Sequence, residues 1–207
     1  MKALNARQTD ALTELINIAF GLTAAKLCEI SNYKIRLEPP VIAIHPTEAL
    51  AAELGSFGTG EVASVHQVFG GPFSGNAVLL LNYESAVKLS NLFLEQHLRS
   101  QRLDSSTGEI LAEVGNMLLS ACLGVFGNLL QVRVTFSMAR LHLDSLEEFT
   151  ASISGGELLD AVAITTSFHI REQGIDGRIV IVMDASSLEQ LTQAVDRWES
   201  SQSSAQV

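Results

Sequence analysis

Apolar residues recur at helical spacing in two widely separated stretches of the chain. The first runs from about Asp10 to Glu29 and carries Leu12, Leu15, Ile18, Ala19, Leu22 and Leu27. The second runs from about Ser106 to Leu129, with Ile110, Leu111, Val114, Met117, Leu118, Cys122 and Val125. Ser106 is placed to N-cap the second helix, and Glu109 would complete a capping box. Each helix is followed by an extended stretch rich in β-branched residues, Tyr33 to Ile44 and Gln131 to Leu143. A short helix-like segment comes next in each case, Pro46 to Leu54 and Asp144 to Phe149.

Two alternating strands then predict a hairpin in each half: Gly60 to Phe69 with Asn76 to Leu81, and Ala161 to Ile170 with Arg178 to Met183. Gly70, Gly71, Pro72 and Gly75 mark one turn, and Gln173, Gly174, Asp176 and Gly177 the other. The hairpin exits match in pattern almost residue for residue, Gly75-Asn76-Ala77-Val78-Leu79-Leu80-Leu81-Asn82 against Gly177-Arg178-Ile179-Val180-Ile181-Val182-Met183-Asp184. Each enters a helix through a polar cap, Asn82 before Ser85 to Leu94 and Asp184 before Ser187 to Val195.

The chain therefore repeats itself. The pattern predicts an α/β fold, a pseudo-two-fold repeat of helix–strand–strand–strand–helix units sharing an antiparallel sheet with flanking helices. Residues 1–200 are expected to form a single domain, with the first repeat at 8–97 and the second at 105–198. Two independent domains of this size would each bury less of their surface. The polar stretch from His97 to Ser105 reads as a linker, and the Ser/Gln-rich tail 199–207 as disordered.

A hydrophobic fraction of 47% with 17% charged residues suits a globular chain and not a disordered one. The net charge of −10 argues against nucleic acid and against anionic membrane surfaces; it suits a protein partner with a positive rim, although solubility alone is the commoner reason for an acidic surface. Cys28 and Cys122 lie within apolar helical patterns and read as buried hydrophobes in a reducing compartment, not as a disulfide. No Cys–His cluster has metal-ligand spacing, so no metal site is expected. The first five residues lack a signal-peptide core and no apolar run looks long enough to span a bilayer, which predicts a soluble, cytoplasmic protein.

Candidate chemistry sits on the two opening helices. Asp10, Glu14, Asn17 and Gly21 are offset by four, three and four residues, which stacks them on one helix side. The second helix repeats the arrangement with Glu109, Glu113 and Asn116. Spacing alone leaves two readings open: a solvated polar face, the commoner case, or a paired functional site repeated with the fold.

The run Asp10-x3-Glu14-x2-Asn17, followed after twenty-two residues by Pro40, resembles the signature of the CheC/CheX/FliY phosphatases. The surrounding words Glu14-Leu15-Ile16-Asn17-Ile18-Ala19 and Glu113-Val114-Gly115-Asn116-Met117-Leu118 resemble that family's helix segments, and the duplicated layout is similar to CheC itself. The second copy departs from the pattern, with Glu109 where Asp or Ser is usual and Ala139 where the proline would stand; the first has Ile16 and Ala19 where glycines are common. The first site thus matches in full, and the second keeps its essential pair.

The resemblance implies a phosphatase acting on the aspartyl phosphate of a CheY-like response regulator. Asn17 and Asn116 would orient the attacking water, an amide offering donor and acceptor without titrating. Glu14 and Glu113 would contact a lysine of the partner. Asp10, Pro40 and Glu109 would support the motif. The chain would need no cofactor of its own, the Mg²⁺ belonging to the response regulator. CheD is a further partner implied by the resemblance, and a monomer is expected. The rival reading is a non-catalytic module that sequesters phosphorylated regulator, or binds CheD or the flagellar switch. Two other motifs lose. Ser105, Ser106 and Thr107 near His97 lack a nucleophile elbow, and Gly70-Gly71-Pro72 lacks the Lys-Ser/Thr of a phosphate loop and reads as a turn.

Overall fold

Helices form where apolar residues fall at helical spacing, and strands where shorter apolar or alternating runs are bounded by turn residues. The computed structural model describes residues 5–31, 33–45, 60–149, 161–183 and 185–205. The elements are α1 (Ala6–Ser31), β1 (Arg36–Leu37), β2 (Val41–His45), β3 (Glu61–Gly70), β4 (Gly75–Asn82) and α2 (Tyr83–Leu92), followed by α3 (Ser105–Leu129), β5 (Thr135–Phe136), β6 (Arg140–Ser145), β7 (Ala161–Ile170), β8 (Ile175–Met183) and α4 (Ala185–Ala205). Each predicted extended stretch divides into two strands. The break falls at Glu38-Pro39-Pro40 in one half, where the prolines lack donors for a ladder, and at Ser137-Met138-Ala139 in the other.

Among the described residues the strands form one eight-stranded sheet of order β1-β7-β8-β4-β3-β5, with β2 also on β7 and β6 also on β3. Every pairing is antiparallel. The extended strands are exchanged: β2 of the first repeat pairs with the hairpin of the second, Val41 opposite Thr165, and β6 of the second pairs with the hairpin of the first, Arg140 opposite His66. The hairpins meet along β4 and β8, where Val78 faces Val180, its own equivalent in the other repeat. The pseudo-two-fold axis passes between these two valines.

The helices pack on one face of the sheet. Leu12, Leu15 and Phe20 of α1 join Leu111, Leu118 and Phe126 of α3, and Leu89, Leu188 and Leu191 of the outer helices, over Val65, Phe69, Leu79 and Phe168. On the opposite face a smaller cluster joins Val62, Val78, Leu80, Val180 and Val182 to Phe149. Both hairpin exits carry glycine because another strand approaches closely. A Cβ at Gly75 would lie 2.2 Å from the Val182 carbonyl oxygen, and one at Gly177 would lie 2.5 Å from Leu81 Cδ2.

Several expectations change. The α3 cap is Asp104, not Ser106: its side chain accepts from the Thr107 backbone N–H, and Thr107 Oγ1 accepts in return from the Asp104 backbone N–H at 2.8 Å. The capping box therefore opens two residues earlier, with buried Thr107 in the place assigned to Glu109. Asn82 caps α2 as expected, accepting from Ser85. The stretch read as a linker is tied to α2, since Asn91 bonds both backbone groups of Ser100 and Leu103 N–H donates to Tyr83. The Ser/Gln-rich tail expected to be disordered continues α4 as far as Ala205, and Glu199 pairs there with Arg7 of α1 at 3.0 Å. A helical turn follows Ser145 at 146–149, capped reciprocally by Ser145 and Glu148; its counterpart at Pro46 to Leu54 lies outside the described residues, as does the Asp184 cap.

One helix among the described residues, Ser105–Leu129, is long and apolar enough to cross a membrane by length and composition, contrary to the reading that no run is. Half of its apolar window is buried within the fold, against the sheet and α1.

Candidate functional site

One side of α1 is fixed by the core. Leu12, Leu15, Ile16, Ala19 and Phe20 are buried, which turns Asp10, Glu14, Asn17 and Gly21 outward, all four exposed. Glu14 and Asn17 lie one turn apart, and neither makes a side-chain hydrogen bond or ion pair with any described residue. The apolar stripe read from spacing splits here: Ile18 and Leu22 belong to the outer face, at 38% and 53% exposure, and lie in sequence directly beside Asn17 and Gly21. Pro40 is buried at the entrance to β2, so it shapes the strand and is not part of the exposed face.

The second copy is similar in placement and different in contact. Glu109 and Glu113 are exposed on α3, Met117 is 42% exposed beside Asn116, and Asn116 itself is half-buried. Gln67 of β3 reaches up beneath it. Its Nε2 donates to Asn116 Oδ1 at 2.7 Å and lies 2.9 Å from Ser120 Oγ and 3.2 Å from the Ser137 carbonyl oxygen. Gln67 Oε1 is buried without a hydrogen-bond partner among the described residues. Strand register makes Thr166 the counterpart of Gln67, because Phe69 and Phe168 face Gly75 and Gly177 respectively. Thr166 donates to the Glu38 carbonyl oxygen at 2.5 Å, the position matching Ser137. Gly21 stands where the second copy has Ser120.

Sequence reasoning missed Gln67, Ser120 and Ser137. Ser120 lies one turn beyond Asn116, as Gly21 does beyond Asn17, and that spacing could have drawn attention to it. Gln67 offered only a weaker signal, a polar residue on the strand face that otherwise carries Ala63, Val65 and Phe69.

Two further groups of polar side chains carry no comparable site. On the opposite sheet face His66 Nε2 lies 2.9 Å from Ser64 Oγ, and its ring meets His142 edge-on at 4.9 Å. Burial, with a smaller contribution from His142, pushes the His66 imidazole down to about 4, while Asp144 acts in the other direction. Ser64 is fully buried and no substrate can reach it. The Cys122 thiol is also buried, which pushes it up to about 12, far from a thiolate nucleophile. Both cysteines are free.

No protein-family model matches the sequence, and no curated protein matches it. Solved structures do match. Thermotoga maritima FliY superposes with a TM-score of 0.74 over 95% of this chain and 100% of that one, at 15% identity. The FliM middle domain from H. pylori gives 0.61 over 92% of this chain and 99% of that one, at 12% identity. The chemotaxis protein CheX from Desulfovibrio desulfuricans gives 0.54 over 82% and 99%, at 13% identity. What such distant sequences share is the path of the backbone, and this chain has the fold of the CheC/CheX/FliY chemotaxis proteins.

Proposed function

We propose that this chain is a phosphatase for the aspartyl phosphate of a CheY-like receiver domain, acting through Glu14 and Asn17. The observation that carries the reading is the outer face of α1, where a carboxylate and an amide one turn apart stand exposed and without partners among the described residues, next to exposed Ile18 and Leu22. Solvated polar residues alone would not need apolar neighbours, whereas a docking helix does.

An acyl phosphate is already activated, so the chain needs neither a nucleophile nor a metal of its own; the Mg²⁺ belongs to the receiver domain. Asn17 Oδ1 accepts a hydrogen bond from a water O–H, which turns the water's lone pair toward phosphorus. The O–P bond to water forms as the P–O bond to the aspartate breaks, releasing inorganic phosphate, the restored carboxylate and a proton. Positioning of this kind can supply much of the acceleration. Glu14 is placed to pair with a lysine of the receiver, a contact that fixes the register of docking. The protein works as a soluble, cytoplasmic monomer in this reading, and its net charge of −10 suits a partner with a positive rim.

The likeness to a FliM middle domain supports a second reading, a non-catalytic module that binds phosphorylated regulator, CheD or the flagellar switch. One experiment separates the two: the decay of phosphorylated receiver domain with and without this chain. Faster decay that is lost in Asn17→Ala is expected. Unchanged decay despite measurable binding selects the second reading.

A further inference from the structure

The two asparagines differ in what lies beneath them. Thr166 and Gly21 leave Asn17 with no partner among the described residues, whereas Gln67 grips Asn116 from below. A backbone carbonyl can only accept, so the contact with Ser137 places the nitrogen of the Gln67 amide on that side. Asn116 must then present its carbonyl oxygen to Gln67, with its own NH₂ group turned to the opposite side. The arrangement is imposed at a cost, because Gln67 is 1% exposed and its Oε1 stays buried and unpartnered.

We propose that Gln67 is a positioning residue that latches the second site in an idle orientation. The inference rests on the phosphatase reading above. Activation of water requires an asparagine carbonyl that accepts an O–H and leaves the oxygen's lone pair aimed at phosphorus. An Asn116 whose carbonyl is held inward offers its NH₂ instead, and that donor would occupy the lone pair needed for attack. The second site can therefore meet a receiver domain through Glu113 and Met117 but turns it over slowly. Exchanging Gln67 for a side chain without a donor frees the Asn116 amide to rotate.

The test uses the full chain carrying Asn17→Ala, in which residual turnover belongs to the second site. Gln67→Met is near-isosteric and lacks the donor, and Gln67→Thr copies the first repeat. Each is expected to raise the residual rate of receiver dephosphorylation about fivefold, which corresponds to ~1 kcal/mol. A purely structural glutamine would lower the rate or leave it unchanged, and that result in a folded variant overturns the proposal. A readout without catalysis keeps this distinct from failure of the phosphatase reading. In ¹⁵N spectra of the wild-type chain, the Gln67 side-chain amide protons should exchange slowly and shift in Asn116→Ala. If the wild-type chain releases no phosphate, the phosphatase reading fails by itself; Gln67 protons that exchange as fast as those of Asn17 overturn the latch.

Discussion

Gly115 lies in α3 directly before Asn116, and β3 passes beneath it. A Cβ added there would stand 2.6 Å from Val65 Cγ1, 2.8 Å from its Cβ and 3.0 Å from Cγ2. All three distances fall far inside the ~3.5–4.0 Å optimum for carbon pairs. Val65 is fully buried and β-branched, so it has no easy rotamer to retreat into. Alanine in place of a helical glycine would gain about 1 kcal/mol in propensity. Overpacking of a tight core costs about 1–3 kcal/mol, and three simultaneous clashes place this site at the upper end. Gly115→Ala is therefore expected to destabilise by about 1–2 kcal/mol net. Gly124 supplies the control in the same helix, because a Cβ there meets nothing within 4 Å. Gly124→Ala should keep the propensity gain and stabilise by up to ~1 kcal/mol. Urea denaturation at constant m-value reads both changes. Opposite signs are expected. A Gly115→Ala chain as stable as wild type would refute the close approach of α3 to β3, and with it the seating of Asn116 over Gln67.

Asn17→Ala combined with Asn116→Ala is expected to abolish receiver dephosphorylation while leaving the chain folded, at a cost of about 1 kcal/mol for the lost Gln67–Asn116 hydrogen bond; full activity in the double variant would sink the mechanism. Of the single variants, Asn17→Ala should cost more turnover, since Asn116 is engaged by Gln67; equal or reversed losses contradict this. The folded His66 ring resists protonation down to about 4 from an ordinary 6.5, so the unfolded chain binds the proton first as pH falls. Stability should be full above pH 6.5 and erode toward pH 4, by about 1–3 kcal/mol once solvent screening at the partly open ring is allowed for. Urea midpoints for wild type and His66→Gln over that range check it, and equal slopes would show that His66 is not responsible. Cys122 should react with a thiol reagent only after unfolding, because burial holds its thiol near 12; modification of the native chain at Cys122 would contradict its burial.

Local pattern carried the reading of this chain a long way. The repeat, the two hairpins and the Asn82 cap depend on near neighbours, and those signals survive in a single sequence. The pairing of β2 with β7 and of β6 with β3 does not. It is decided by which edge each strand can reach after the hairpins meet, and no residue in Val41–His45 announces its partner. The outer face of α1 was legible in its polar members, Glu14 and Asn17, but not in Ile18 and Leu22, since apolar residues at helical spacing read as core until the packing partner is known. Gln67 was hidden for a related reason. It sits far from Asn116 along the chain, and only the seating of α3 on β3 brings their amides to 2.7 Å. The α3 cap was missed because two serines and an acidic residue offered a plausible box next to the one the backbone uses.

The exchange of strands also governs how the protein can be made. During synthesis the first repeat emerges with both of its hairpin strands and no mate for Val41–His45, whose ladder is supplied by β7. The outer edge of β3 waits equally for β6. Neither half has a completed sheet until the ribosome has delivered the strands of the second repeat. Two strand edges thus stay open through translation, and open edges invite pairing with other nascent chains. A truncated product ending within the second repeat would consequently be expected to aggregate instead of persisting as a folded half.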